Sequence, residues 1–193
     1  CETIYPKTPI MNNELFNRHK LSGSISSARV KYLAAMLNQG NEVDFGFAKD
    51  KFPPEKTIYY SLLKHTGLHV DGAFSSQPTN KGIITLWDAC EEFLVSTTNK
   101  PRKISELIKL LSARPYKLKQ GFLEFWIPTY LYIKKQEYSL YGTGGAYIPN
   151  VNMEFFELLQ KHPADYSIKA LDVSGVRMDI FNQYRKFLNV KTL

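Results

Sequence analysis

Cysteine is scarce in this sequence, since Cys1 and Cys90 are the two occurrences in 193 residues. Two cysteines are too few for a disulfide framework, and they lack the C-x-x-C spacing that structural zinc sites use. This content favours a reducing compartment, and we therefore expect a cytoplasmic protein.

Long apolar runs are also missing. The most apolar segment, 122–133, contains Glu124 and Pro128, whereas a membrane-spanning helix needs about 20 predominantly apolar residues. The chain begins at Cys1, and its first residues have neither the basic start nor the apolar run of a signal peptide. We expect no membrane association, and we expect the chain to be a piece of a longer intracellular protein.

Signatures of catalysis and of metal binding are weak. The glycine-rich segment 142–145 lacks the Lys and Ser or Thr of a P-loop, so it indicates a hairpin turn. Gly67 ends the predicted helix between His65 and His69, and no acidic third ligand has helical spacing. Cys90 precedes two glutamates that disfavour a thiolate. We predict no catalytic residue, no metal and no cofactor in this chain.

Positive charge is concentrated in one part of the sequence. Positions 100–135 hold nine basic residues and two acidic ones, while the rest of the chain is balanced, so this segment carries the net charge of +7. A localised positive field indicates a polyanionic ligand or an acidic protein surface. The alternative for such a run is an ordinary solvated helix face.

Hydrophobic periodicity predicts a mostly helical α+β protein. Proline at 128 should bend or split the most apolar helix, and the segment 71–82 has the composition of a mobile loop. Helices are predicted over 22–38, 55–67, from 85, from 105, over 119–135 and 153–161, and from 174; strands are predicted over 138–141, 146–148 and 166–171.

Two helices followed by a hairpin within about 50 residues are typical of a winged helix. We predict a helical accessory region over 1–82, a degenerate winged-helix module with a β-hairpin wing over 83–171, and a C-terminal helix over 172–193. The second helix of the module is apolar on nearly every side, so it should be buried. Any nucleic acid is therefore expected to bind through phosphate contacts with little base readout.

Two sets of candidate binding residues follow from these patterns. Asn12, Asn13, Glu14 and Arg18 form a polar group that suits an interface, with Glu14 and Arg18 spaced for an i, i+4 ion pair on a short helix. The predicted nucleic-acid contacts are cationic side chains and two wing tyrosines that can stack on bases. They are Arg102, Lys103, Arg114, Lys117, Lys119, Lys134, Lys135, Tyr141 and Tyr147.

Several ordered segments resemble a known family. They are YPKTP at 5–9, NELFNR at 13–18, FPPEK at 52–56, LLKHTGLH at 62–69, RPYKLKQG at 114–121, and LY and YIP within 140–149. In order and spacing they resemble the C-terminal part of large bacterial P-loop ATPases of BREX-type phage-defence and related systems. That family has Pro-Tyr-Gly-Leu where this chain has Lys117 in place of the glycine.

The resemblance implies that an upstream domain binds ATP and Mg²⁺ and that this region is an accessory part of the parent ATPase. Two functions then remain open. One is non-specific DNA binding through the basic segment. The other is a protein-interaction or intramolecular docking module that couples the ATPase to partner proteins. An enzymatic activity of this region has the least support.

Overall fold

A computed structural model describes residues 13–171 of the chain, so the predicted C-terminal helix and Asn12 lie outside the described residues. The described part is α+β. Its six helices are α1 Gly23–Gln39, α2 Pro54–Tyr59, α3 Lys81–Val95, α4 Ile104–Ser112, α5 Gln120–Ile133 and α6 Met153–Lys161. Its strands are β1 His69–Val70, β2 Ala73–Phe74, β3 Arg102–Lys103, β4 Tyr138–Tyr141, β5 Tyr147–Ile148 and β6 Ser167–Ala170.

Side-chain caps set the starts of two helices. Asn152 Oδ1 accepts a hydrogen bond from the backbone N–H of Phe155 at 2.8 Å, which confirms the predicted start of α6. Asn80 does the same for the N–H of Gly82 at 2.8 Å. Because this cap satisfies a donor of the first turn, α3 begins at Lys81 and not at Thr85 as predicted.

The segment 71–82 was predicted to be a mobile loop. Its first four residues are instead the turn and the second strand of a two-stranded hairpin. β1 and β2 are antiparallel, with Val70 opposite Ala73. The connection is Asp71-Gly72, and both residues have positive φ, at 49° and 80°. Asp-Gly suits such a two-residue turn because both positions must adopt the left-handed region.

Helix α5 is the centre of the core. It runs through Pro128 without being split, and ten of its residues are buried, which confirms the predicted burial of this apolar helix. Tyr32 of α1 exchanges a hydrogen bond of 2.8 Å with Thr129 of α5 in this interior. The buried apolar side chains of residues 13–171 form one cluster, to which the segments on both sides of the predicted boundary at 82 and 83 contribute.

A four-stranded antiparallel sheet packs on this helical core in the order β3, β6, β4, β5. Leu140 of β4 and Ile168 of β6 lie opposite each other and are buried. The predicted wing corresponds to β4 and β5, and the predicted strand over 166–171 corresponds to β6. β6 pairs with both β3 and β4, so it joins the hairpin to the start of α4.

The segment before α1 is held against the start of α5 by a close backbone contact. The N–H of Gly121 donates to the carbonyl of Arg18 at 2.8 Å. A Cβ at position 121 would lie 2.7 Å from the carbonyl oxygens of both Arg18 and Phe16. These are backbone atoms that cannot swing aside, so glycine is required for this contact.

We therefore predict that Gly121→Ala lowers the free energy of unfolding by about 2 kcal/mol, because overpacking outweighs the helix propensity of alanine. Urea unfolding measures the effect. Gly23→Ala is the matched control, since Gly23 also opens a helix but has nothing within 4 Å of an added Cβ. Equal stability of the two variants would contradict the prediction.

No helix within the described range is both long and apolar enough to cross a membrane.

Candidate nucleic-acid interface

Lys134 was predicted to contact nucleic acid, but it is buried, with 4% of its surface exposed. Its Nζ lies 2.8 Å from a carboxylate oxygen of Glu91 and 2.8 Å from one of Glu137. Burial opposes the charged form, but these two carboxylates outweigh it and raise the pKa of Lys134. The ammonium group is an internal ion-pair partner, and this placement removes Lys134 from the binding set.

Arg102 and Lys119 also have partners within the protein. The guanidinium of Arg102 lies 2.9 Å from the carboxylate of Glu106, and its central carbon is 4.4 Å from the centroid of the Phe93 ring. Lys119 is half-buried, and its Nζ donates to the carbonyl of Asn17 at 3.1 Å. Neither cation is as available to a phosphate as the sequence suggested.

The other four predicted cations, Lys103, Arg114, Lys117 and Lys135, are exposed, and they lie on separate segments of the chain. Lys103 directly precedes α4 and Arg114 follows its end, so a nine-residue helix about 13 Å long separates them. The Nζ of Lys135 lies 3.9 Å from the centroid of the Tyr132 ring, beyond the end of α5. The exposed members of the predicted set therefore lie at both ends of α4 and beyond the end of α5.

One exposed surface does combine predicted residues with unpredicted ones. Lys103 lies opposite Ser167, which lies opposite Tyr141, which lies opposite Tyr147. Directly opposed residues of antiparallel strands share a face of the sheet, and so do residues two apart in one strand. The solvent-facing side, named the outer face below, therefore carries Lys103, Ser139, Tyr141, Tyr147, Ser167 and Lys169.

The outer face borders an open cavity of about 540 Å³. Lys103, Lys169 and Tyr141 line it, together with the hairpin turn and Asp165. Neither lysine forms an ion pair with any residue between 13 and 171. A volume in this range is typical of ligand sites in proteins.

The two wing tyrosines lie together at the edge of this surface. Their ring centroids are 6.1 Å apart in an edge-to-face arrangement, and Tyr147 is 62% exposed. The adjoining turn contains Gly144 and Gly145, with φ of 70° and 81°. These glycines are needed for the turn itself, in agreement with the predicted hairpin, and no atom lies within 4 Å of a Cβ built on either.

The predicted interface group before α1 has a different structure from the one expected. Glu14 and Arg18 lie in a turn and not in a helix, and Arg18 Nε donates to the backbone carbonyl of Glu14 at 3.1 Å. The predicted ion pair between their charged groups is therefore absent from the described structure. Asn13 is buried, and its Nδ2 donates to Ser61 Oγ at 2.9 Å. Glu14 and Arg18 are the exposed members of the group.

The residues considered for catalysis or metal binding have structural partners. Cys90 is fully buried, and its burial is the main reason that the pKa of its thiol is raised to about 12. His69 is buried between the hydroxyl of Tyr59, at 2.8 Å from Nδ1, and the carbonyl of Gly40, at 3.0 Å from Nε2. Burial also lowers the pKa of His69. Within residues 13–171 no group of three or more metal-ligating side chains is close enough together to hold an ion.

The sequence carried a partial signal for the outer face. Tyr141, Tyr147 and Lys103 were predicted, but Lys169, Ser167 and Ser139 were not. Alternation in 166–171 indicated a strand, yet nothing in that pattern showed that it would pair between β3 and β4. No protein-family model matches this sequence, and no curated protein or solved structure is significantly similar to it.

Proposed function

We propose that this chain is a non-catalytic, winged-helix-like accessory domain of a phage-defence-type ATPase, and that it binds DNA non-specifically through the outer face. The observation that carries the proposal is the outer face itself. Two lysines that form no ion pair within residues 13–171, Tyr141 and an open glycine turn line one cavity, and Tyr147 packs against Tyr141. Membership of the ATPase family and the cytoplasmic location stay predictions from the sequence, as does the absence of a cofactor.

The winged-helix part of the proposal is supported by the order of elements. Helix α3, strand β3, helices α4 and α5 and the hairpin of β4 and β5 follow one another as in a winged helix. One feature departs from that scheme. β6, which follows an additional helix α6, lies between β3 and the hairpin, and this insertion provides Lys169 and Ser167.

The burial of α5 argues against base reading in the major groove. A recognition helix needs a polar face toward the base edges, whereas ten of the fourteen residues of α5 are buried. Lysines on the outer face can contact phosphates of any sequence, and tyrosine rings can stack on any base. Stacking requires exposed bases, so we propose a preference for single-stranded over duplex DNA.

Stacking by Tyr147 provides the direct test of this proposal. We predict that Tyr147→Ala weakens binding to an oligothymidylate of about 12 nucleotides by about tenfold, since one base stacked on an aromatic ring contributes about 1–3 kcal/mol. Fluorescence anisotropy measures the affinity. Tyr147→Phe keeps the ring and should bind like the wild type.

Phe52→Ala is the off-site control for this experiment, because Phe52 is 66% exposed and lies far along the chain, next to α2. Its affinity should match that of the wild type. Wild-type affinity of Tyr147→Ala, or tighter binding of duplex than of single strand by the wild-type protein, would refute the proposed mode.

The dispersion of the exposed cations supports a docking module as a second candidate. Arg114 and Lys117 lie in the turn between α4 and α5, a helix length away from the outer face. A positive turn of this kind suits an acidic surface of another domain or of a partner protein. Arg114→Glu with Lys117→Glu should then weaken binding to the separately expressed remainder of the parent protein. Single-stranded DNA affinity should fall only slightly in that variant, through long-range repulsion.

A further inference from the structure

A second cavity lies between α1, α4, α5 and α6. Its volume is about 80 Å³, and its lining includes Arg29, Leu123, Glu124, Phe156, Leu159 and Gln160. We propose that this cavity, named the Arg29 pocket, is a binding site for a single carboxylate group on a short aliphatic stem. This inference is independent of DNA binding by the outer face.

Arg29 is the residue that indicates a ligand. It is 4% exposed, and its Nη2 donates to Oε1 of Gln160. Its Nε and Nη1 are buried and have no hydrogen-bond partner among the described residues. Buried donors are nearly always satisfied in folded proteins, because an unmet donor loses its hydration without compensation. Two unmet donors on one cation therefore point to an acceptor that is not part of residues 13–171.

The charge of Arg29 is not neutralised at short range. Burial lowers its pKa, and the negative fields of Glu124 and Glu157 oppose that effect, but guanidinium stays protonated in proteins. Neither carboxylate forms an ion pair with Arg29 in the described structure. Glu124 instead accepts hydrogen bonds from Gln160 Nε2 at 2.7 Å and Gln120 Nε2 at 3.4 Å. An anion with two acceptor oxygens would accept hydrogen bonds from both Nε and Nη1 and would neutralise the charge of Arg29.

The size and walls of the pocket select the kind of anion. One water takes about 30 Å³ of liquid volume, so a cavity of about 80 Å³ has room for a carboxylate with one or two carbons. Leu123, Phe156 and Leu159 provide apolar walls that suit such a stem and give a tetrahedral oxyanion few partners. The end of an acidic side chain, a chain-terminal carboxylate and a small free acid share this chemistry.

The test follows the Nε–Hε resonance of Arg29 in the ¹⁵N-labelled protein during titration with acetate up to about 100 mM, since ligands of four heavy atoms often bind in the millimolar range. Acetamide is the neutral isostere. We expect a saturable shift with acetate and none with acetamide. Absence of a shift with acetate, or equal shifts with acetate and acetamide, would overturn the proposal.

Variants provide the second arm. Arg29→Met keeps the volume while removing the charge, and neighbouring amide signals should no longer respond to acetate. Arg114→Met, at an exposed arginine, should leave the response unchanged. A response that persists in Arg29→Met overturns the proposal. If Arg29→Met does not fold, the comparison of acetate with acetamide on the wild-type protein still tests the proposal.

The source of the carboxylate is distinguished by peptides. A short peptide with blocked ends and a central glutamate represents an internal acidic side chain. A peptide with a free terminal carboxylate, compared with its amide, represents a chain terminus. Tighter binding of one peptide than of acetate assigns a protein partner through that group, whereas binding of acetate alone assigns a small free acid. Each of these results supports a carboxylate site.

Discussion

Replacement of Glu91 by alanine is expected to lower the free energy of unfolding by about 3 kcal/mol. Glu91 Oε2 lies 2.8 Å from Nζ of Lys134, and the Lys134 side chain is 5% exposed. Glu91 Oε1 accepts a hydrogen bond of 2.8 Å from the hydroxyl of Tyr130. Removal of one partner leaves a buried charge and a buried hydroxyl with fewer acceptors, which is costly in a protein interior. Glu137 remains as the second partner of Lys134.

The adjacent residue provides the control for this prediction. Glu92 is exposed and forms no ion pair with a residue in the range 13–171. Glu92→Ala should therefore change the stability by less than about 0.5 kcal/mol. Urea unfolding of both variants measures the difference. If Glu91→Ala is as stable as Glu92→Ala, Lys134 does not depend on its internal ion pair.

Reversal of both outer-face lysines is the second large effect that we expect. Lys103→Glu with Lys169→Glu should weaken single-stranded DNA binding by about 100-fold. The variant loses two hydrogen bonds to charged phosphates, each contributing about 1.5 kcal/mol, and gains repulsion. Stability should change little, because neither lysine forms an ion pair within the described residues.

A matched variant separates this site from general charge effects. Lys49 and Lys51 are exposed and lie in the loop before α2, so Lys49→Glu with Lys51→Glu changes the net charge equally. Its DNA affinity should fall only slightly through long-range repulsion, and added salt should remove the difference. An equal loss of affinity in the two double variants would mean that the net charge, and not the outer face, governs binding.

Local patterns in the sequence predicted most elements correctly because their causes are local. Asn152 followed by an apolar run is a helix start, and the structure has that cap. Apolar side chains all round 119–135 predicted a buried helix, and α5 is buried. The error at the start of α3 has a local cause as well, since Asn80 competes with Thr85 as the cap.

The site could not be predicted in the same way because its causes are non-local. One of the two carboxylates that neutralise Lys134 belongs to Glu91, which lies 43 positions earlier in the chain. Lys169 reaches the outer face because β6 pairs between β3 and β4. A count of basic residues over 100–135 includes Lys134, which is buried. The same count omits Lys169, which the pairing of β6 brings to the outer face.

Lys117 occupies a backbone conformation that lysine seldom adopts. It has a φ of 51°, in the left-handed region where glycine is favoured. The chain accepts a lysine there at a conformational cost of about 1 kcal/mol, and the side chain is exposed.

Mapping of amide chemical shifts on binding a short oligothymidylate tests the central claim most directly. The account predicts that the largest shifts fall on the outer face, at Lys103, Tyr141, Tyr147, Ser167 and Lys169, and on the turn over 142–145. Shifts confined to Arg114, Lys117 and Lys135, or the absence of shifts at low salt, would contradict it.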